Sequence, residues 1–115
     1  MLKGMNELAE KKCIPCEGEV EPLLPQEAQD LLGKLDDWSL IDDAHLLMKQ
    51  FMFANFVQTM KFVNEVARLA EEEQHHPEMN IAYDSVTIEL TTHAIGGLSE
   101  NDFILAAKID QLEKK

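Results

Sequence analysis

Three of the four histidines in the sequence, His75, His76 and His93, fall within one short window. Imidazole ionises near pH ~6.5, so a group of them is suited to moving protons at neutral pH without a cofactor. The residues just ahead break a local preference. Glu71-Glu72-Glu73 closes a helical pattern at the end where carboxylates oppose the helix dipole. Such a departure often marks a site rather than a stabilising feature. Pro77 biases His76 toward extended backbone, which ends the helix and makes the adjacent imidazoles diverge. Diverging rings face different parts of a ligand more naturally than they converge on one metal ion. Spacing alone leaves two readings level: a proton-transfer site, and histidines that cap a helix and line a solvated loop.

The elements that must position these residues follow from periodicity. Pro25 at a first helical position, with Ala28, Leu31, Leu32 and Leu35 behind it, predicts a short amphipathic helix. From Trp38 the period changes to two. Residues 38–41 read as a strand, Asp42-Asp43 as a turn, and His45 to Phe53 as the partner strand. In that partner Leu47, Lys49, Phe51 and Phe53 share one face, and Leu46, Met48 and Met52 share the other. Neither face is clearly polar, so a second subunit is a candidate to cover one of them. Asn55 is placed to cap the next helix, with Gln58 three residues on and an expected apolar stripe of Phe56, Met60, Val63, Ala67 and Ala70. Met79 to Tyr83, a turn at Asp84-Ser85 and Val86 to His93 predict a second hairpin. In it Val86, Ile88, Leu90 and Thr92 oppose Thr87, Glu89, Thr91 and His93. Gly96-Gly97 then breaks the chain, and Ser99 with Asp102 opens a last helix carrying Phe103, Ile104, Ala107 and Leu112. The order α-β-β-α-β-β-α predicts an α+β fold, a four-stranded antiparallel sheet with helices packed on one face.

The 115 residues suit one domain and one core. Residues 1–22 are charged and aperiodic and read as a flexible N-terminal leader, with the domain spanning 23–115. With 45% hydrophobic and 28% charged residues the composition is that of a folded globular chain. A formal charge of -12 opposes direct binding to nucleic acid or an anionic membrane surface, and no apolar run approaches the ~20 residues of a membrane span. The opening segment has no apolar region of a secretory signal, so a cytoplasmic location is expected. Cys13 and Cys16 form a C-x-x-C whose redox, zinc and inert readings all stay open, with a mobile tail as the plainest of them. No P-loop, dinucleotide fingerprint or G-x-S-x-G is present.

The segment Glu71-x-x-x-His75-His76-Pro77, followed by Tyr83, Thr92-His93 and Gly97-Leu98-Ser99-x-x-Asp102, resembles the signature of the pterin-4a-carbinolamine dehydratases. Trp38, the segment from Phe51 to Phe56 and the long helix are similar to that family in order and spacing, so the resemblance covers everything but the leader. It implies the same four-stranded fold, and homodimers joined through their sheets that can pair through helices into homotetramers. It implies removal of water from 4a-hydroxytetrahydrobiopterin to give quinonoid dihydropterin, downstream of an aromatic amino acid hydroxylase, with no metal or organic cofactor.

By the same resemblance, His75 and His93 share general acid and base work, and His76 holds the pterin and shuttles protons. Gln74, Thr91 and Thr92 border the pterin, and Glu71 and Asp102 orient histidines. Asp102 equally fits a plain helix cap. The chain departs from the family pattern at Gln74, where an acidic residue is common in some members. It departs again at Met79, where an aromatic residue often follows the His-His-Pro-x segment. The methionine offers polarisable contact in place of ring stacking, so weaker pterin binding is expected there. Some animal relatives also act as dimerisation cofactors of a homeodomain transcription factor. A protein-binding role and a dehydratase acting on another pterin are therefore the competing readings.

Overall fold

Alternation at the centre of the chain produces the sheet. In the computed structural model, which describes residues 7–13, 21–41 and 44–113, β1 (Ser39–Ile41), β2 (Leu46–Met52), β3 (Glu78–Ala82) and β4 (Ser85–Leu90) form one antiparallel sheet in the order β1-β2-β4-β3. The apolar rows read from the sequence are the buried ones. Leu47, Phe51, Val86, Ile88 and Leu90 are all but fully buried on one face, and Thr92 continues their row into the following turn. The opposite face, with Leu46, Met48, Gln50 and Met52 from β2, stays half-buried or exposed.

The helices cover the apolar face. They are α1 (Glu7–Glu10), α2 (Pro25–Leu32), α3 (Phe56–Glu73) and α4 (Glu100–Glu113), so the expected order is preceded by one additional short helix. Glu27 accepts the Leu24 N–H at the start of α2, and the Asn55 side chain accepts the Gln58 N–H at the start of α3. Nearly all of α4 is buried, with Phe103, Ile104, Leu105, Ala107 and Ile109 against the sheet or its neighbours. Each of the phenylalanine, leucine and isoleucine side chains contributes roughly 1.5–3 kcal/mol on burial. Phe51 sits at the centre of an aromatic group, 6.1 Å from the Trp38 ring and 4.8 Å from Phe62. No helix among the described residues is long and apolar enough to cross a membrane.

Four details differ from the sequence expectation. The buried stripe of α3 is Thr59, Phe62, Val63, Val66 and Ala70, while Phe56 and Ala67 are exposed. The face is rotated by roughly 70° at about 100° per residue. Thr59 makes this possible, because its hydroxyl lies 2.9 Å from both the Asn55 and the Tyr83 carbonyl, shares its one hydrogen between them and needs no water. The second hairpin starts one residue earlier than expected and turns at Tyr83-Asp84. β4 ends at Leu90, so His93 lies in a 3₁₀ turn (His93–Ile95) and not on a strand. Gly96 at φ 72° and the Thr92–Gly97 bridge fold the chain back there. Finally, Leu8, within the segment read as a leader, is 2% exposed and packs in the core, and α1 lies against α4. Residues 1–6 and 14–20, with Cys16, and the Asp42-Asp43 turn lie outside the described residues.

Two buried ion pairs tie the layers together. Lys49 reaches Asp110 at 2.8 Å from the core face of β2, and Asp110 also accepts the Trp38 indole N–H. Lys49 donates as well to the Asp36 carbonyl. At the end of α3, Glu73 accepts from Lys108 at 2.8 Å and from the Cys13 N–H at 2.8 Å. Burial alone would raise the Glu73 pKa, but the Lys108 and Cys13 hydrogen bonds and the Lys108 and Lys12 charges outweigh it and hold the carboxyl below its ordinary range.

Candidate active site

The end of α3 is built by its cap. Gln74 adopts a left-handed conformation at φ 55°, its amide group donates to the Glu71 carbonyl, and the chain leaves the helix toward Pro77. The two histidines that follow diverge. His75 turns inward to Asp102, at 2.6 Å from Nε2 to Oδ1, and His76 turns outward to Glu71, at 2.6 Å from Nε2 to Oε2. The first pair is nearly enclosed, with His75 12% and Asp102 0% exposed at the side chain. The second is open to solvent.

Asp102 is held by the N-terminus of α4 and by the turn after β4. Its Oδ2 accepts the Ser99 N–H at 2.9 Å and the Thr92 hydroxyl at 2.7 Å, so Oδ1 is left for His75. Thr92 spends its single hydroxyl hydrogen on Asp102, so in their 2.8 Å contact Ser99 Oγ must be the donor. A carboxylate only accepts, which places the hydrogen of His75 on Nε2 and leaves Nδ1 as the nitrogen that can exchange a proton with a ligand. The same reasoning applies to His76 on Glu71. Capping and histidine support, set side by side as alternatives for Asp102, are both present, one on each oxygen.

His76 and His93 line a half-open hollow of about 110 Å3 together with Leu46, Glu78, Glu89 and Thr91. His93 enters from the 3₁₀ turn, and its ring has no hydrogen-bond partner among the described residues. Thr91 is anchored beside it by donating to the His45 carbonyl at 2.7 Å. The turn that carries His93 requires Gly97. A Cβ there would come within 2.9 Å of Pro22, on a segment fixed by the Leu23 N–H to Leu98 carbonyl bond.

Four of the residues expected at the site lie around the hollow or against its histidines: His76, His93 and Thr91 line it, and Glu71 meets His76. His75 and Asp102 form the enclosed pair behind it. Three others are placed differently. Thr92 is buried and supports Asp102, Gln74 caps its own helix, and Met79 packs against the hydrophobic core. Glu78 and Glu89 line the hollow without having been singled out. The sequence carried half of the signal, since Glu89 lies on the same row as Thr91, but only the strand register sets Glu78 opposite Glu89.

Cys13 is half-buried beside this region, and burial with the nearby Glu73 carboxylate pushes its thiol up to about 12. A thiol held protonated at neutral pH is a poor nucleophile or metal ligand, which weighs against redox or zinc chemistry at this cysteine.

Residues 21–112 match the family model described as pterin 4 alpha carbinolamine dehydratase. The chain belongs to this family. A relative from Nitrosomonas eutropha named after the same dehydratase is 52% identical over 112 residues, covering 96% of this chain and 97% of its own length. Another from Rickettsia canadensis is 50% identical over 107 residues, covering 92% and 97%. Among solved structures, a protein from Brucella melitensis described as a transcriptional coactivator/pterin dehydratase superposes with a TM-score of 0.76 at 32% identity, covering 80% of this chain and 98% of that one. A pterin dehydratase-like protein described as a RuBisCO assembly factor in the alpha-carboxysome reaches 0.59 at 31% identity, covering 67% and 89%.

Proposed function

We propose that the chain is a hydro-lyase that removes water from 4a-hydroxytetrahydrobiopterin, giving quinonoid dihydropterin for tetrahydrobiopterin recycling in the cytoplasm. The observation that carries the reading is the set of three histidines in different states of support. One is buried on a carboxylate, one is exposed on a carboxylate, and one, in the hollow, has no partner among the described residues. General acid catalysis protonates the 4a-hydroxyl, the C4a–O bond breaks, and a base takes the proton from the adjacent ring nitrogen as the C=N bond forms. One proton is given and one is taken, and water leaves. His75 and His93 are the acid and base, in an order that the substrate's orientation decides, and His76 holds the ring and relays protons. Asp102 orients His75 and Glu71 orients His76. Positioned groups of this kind contribute ~10²–10⁴-fold.

In this reading Thr91 borders the pterin directly. Thr92 acts through Asp102, and Gln74 and Met79 shape the walls from behind. The half-apolar outer face of the sheet, with Leu46, Met48 and Met52, supports assembly into homodimers or homotetramers. The substrate would be supplied by an aromatic amino acid hydroxylase, or by another pterin oxidation in a host without one.

A second reading has its own observation. Phe56 and Val57 are 52% and 78% exposed on α3 beside Met60, above a shallow groove, which suits a protein-binding role of the dimerisation-cofactor kind. Stopped-flow absorbance on freshly generated 4a-hydroxytetrahydropterin separates the two. Acceleration well above the uncatalysed rate supports the dehydratase, and none from the folded chain favours the binding role.

A further inference from the structure

The hollow contains two carboxylates that the acid-base chemistry does not use. Glu78 and Glu89 are direct cross-strand partners in the β3–β4 register, and both line the cavity with His76, His93 and Thr91. Like charges set directly opposite one another in a sheet are destabilising. Neither has a hydrogen-bond or ion-pair partner among the described residues, whereas Glu71 and Asp102 each hold a histidine. Among the described residues no lysine or arginine pairs with either, so the exposed Glu78 and the half-buried Glu89 stand side by side at the hollow with their acceptor oxygens open. A ligand that brings donors would relieve that placement.

We propose that Glu78 and Glu89 form the acceptor pair that recognises the donor edge of a 2-aminopyrimidin-4-one ring, and so select pterins over pteridines that lack the 2-amino group. The inference rests on the dehydratase reading of the same hollow and names the feature of the substrate that is read there. The ring N–H and the adjacent amino N–H are parallel donors, the arrangement that a carboxylate accepts in two-pronged fashion from a guanidinium. Leu46 supplies an apolar contact for the ring. At about 110 Å3 the half-open hollow is smaller than the ~150 Å3 cavity that takes benzene, so it admits at most one ring and the other lies at its mouth. His76, His93 and the carboxylates share this small volume, so recognition of one ring fixes the other against His93.

The test compares binding of 7,8-dihydropterin with that of the matching 2-oxo compound, a dihydrolumazine, by calorimetry. The parent chain and the Glu78→Gln/Glu89→Gln double variant are measured side by side. The parent prefers the pterin by about tenfold or more, the usual scale of a hydrogen bond to a charged group. In the double variant the preference falls to parity or inverts, because a carboxamide offers one donor and one acceptor and matches the 2-oxo edge. Removing two facing charges leaves the melting temperature unchanged or raised, so lost folding does not imitate the result. Equal binding of both compounds by a parent chain that still dehydrates its substrate overturns this inference alone, as does a pterin preference that survives in the double variant. A parent chain that binds neither compound and does not dehydrate overturns the dehydratase reading with it.

Discussion

Asp102 is wholly buried and receives three donors, the Thr92 hydroxyl, the Ser99 N–H and His75 Nε2. Asparagine in its place would keep the volume but replace one acceptor by a donor, so either the helix start or His75 loses its partner. Asp102→Asn is predicted to lower kcat by about a hundredfold, within the range of positioned acid-base groups, with KM changed far less. Steady-state kinetics on the folded variant check this, and a rate within about twofold of the parent would remove Asp102 from the account. The pairing of Asp102 with the start of α4 was legible in the sequence from Ser99-x-x-Asp102. Its pairing with a histidine was expected only from the family resemblance and not from spacing, because residues 27 apart meet only after the sheet is formed. For Thr92 the alternation had set the side chain on the apolar row, where it is buried against Asp102, while its expected place beside the pterin came from the family resemblance alone.

At the scale of elements, alternation and capping foretold both hairpins and the limits of α3 to within a few residues, because each depends on local chemistry. The rotation of α3 was hidden, since Thr59 reads as polar until its two carbonyl partners are brought to it. Lys49 was correctly set on the face of Leu47 and Phe51, but its partner Asp110 belongs to the last helix. Lys49→Met leaves that buried carboxylate, among the described residues, with the Trp38 N–H and the distant Asp36 N–H, at 3.5 Å, and is predicted to destabilise the fold by about 3 kcal/mol or more. Replacing both partners by apolar residues should cost much less, since the unpaired charge is the source of the penalty. Denaturant titration of the single and double variants measures the difference. Equal losses would show that the pair is not coupled.

For the whole molecule, an excess of 12 negative charges favours acid over alkali as far as net repulsion goes, yet Glu73 acts the other way. Its pKa is lowered from the ordinary 4.5, so the stability it adds is complete above that value and is lost as the pH falls through the folded value. The margin of the parent over Glu73→Gln in thermal melts is predicted to stay constant above about pH 5 and to close on further acidification. A margin unchanged down to about pH 3 would contradict it. Glu73 also binds the N-terminal segment through the Cys13 N–H, which is why part of that segment belongs to the folded unit despite its charged, aperiodic sequence. The most direct test of the account as a whole is the rate of dehydration of 4a-hydroxytetrahydropterin by the parent chain and by folded His75→Ala, His76→Ala and His93→Ala variants. The account predicts losses of about 10²-fold or more for His75 and His93 and a smaller loss for His76, and undiminished rates in either of the first two would contradict it.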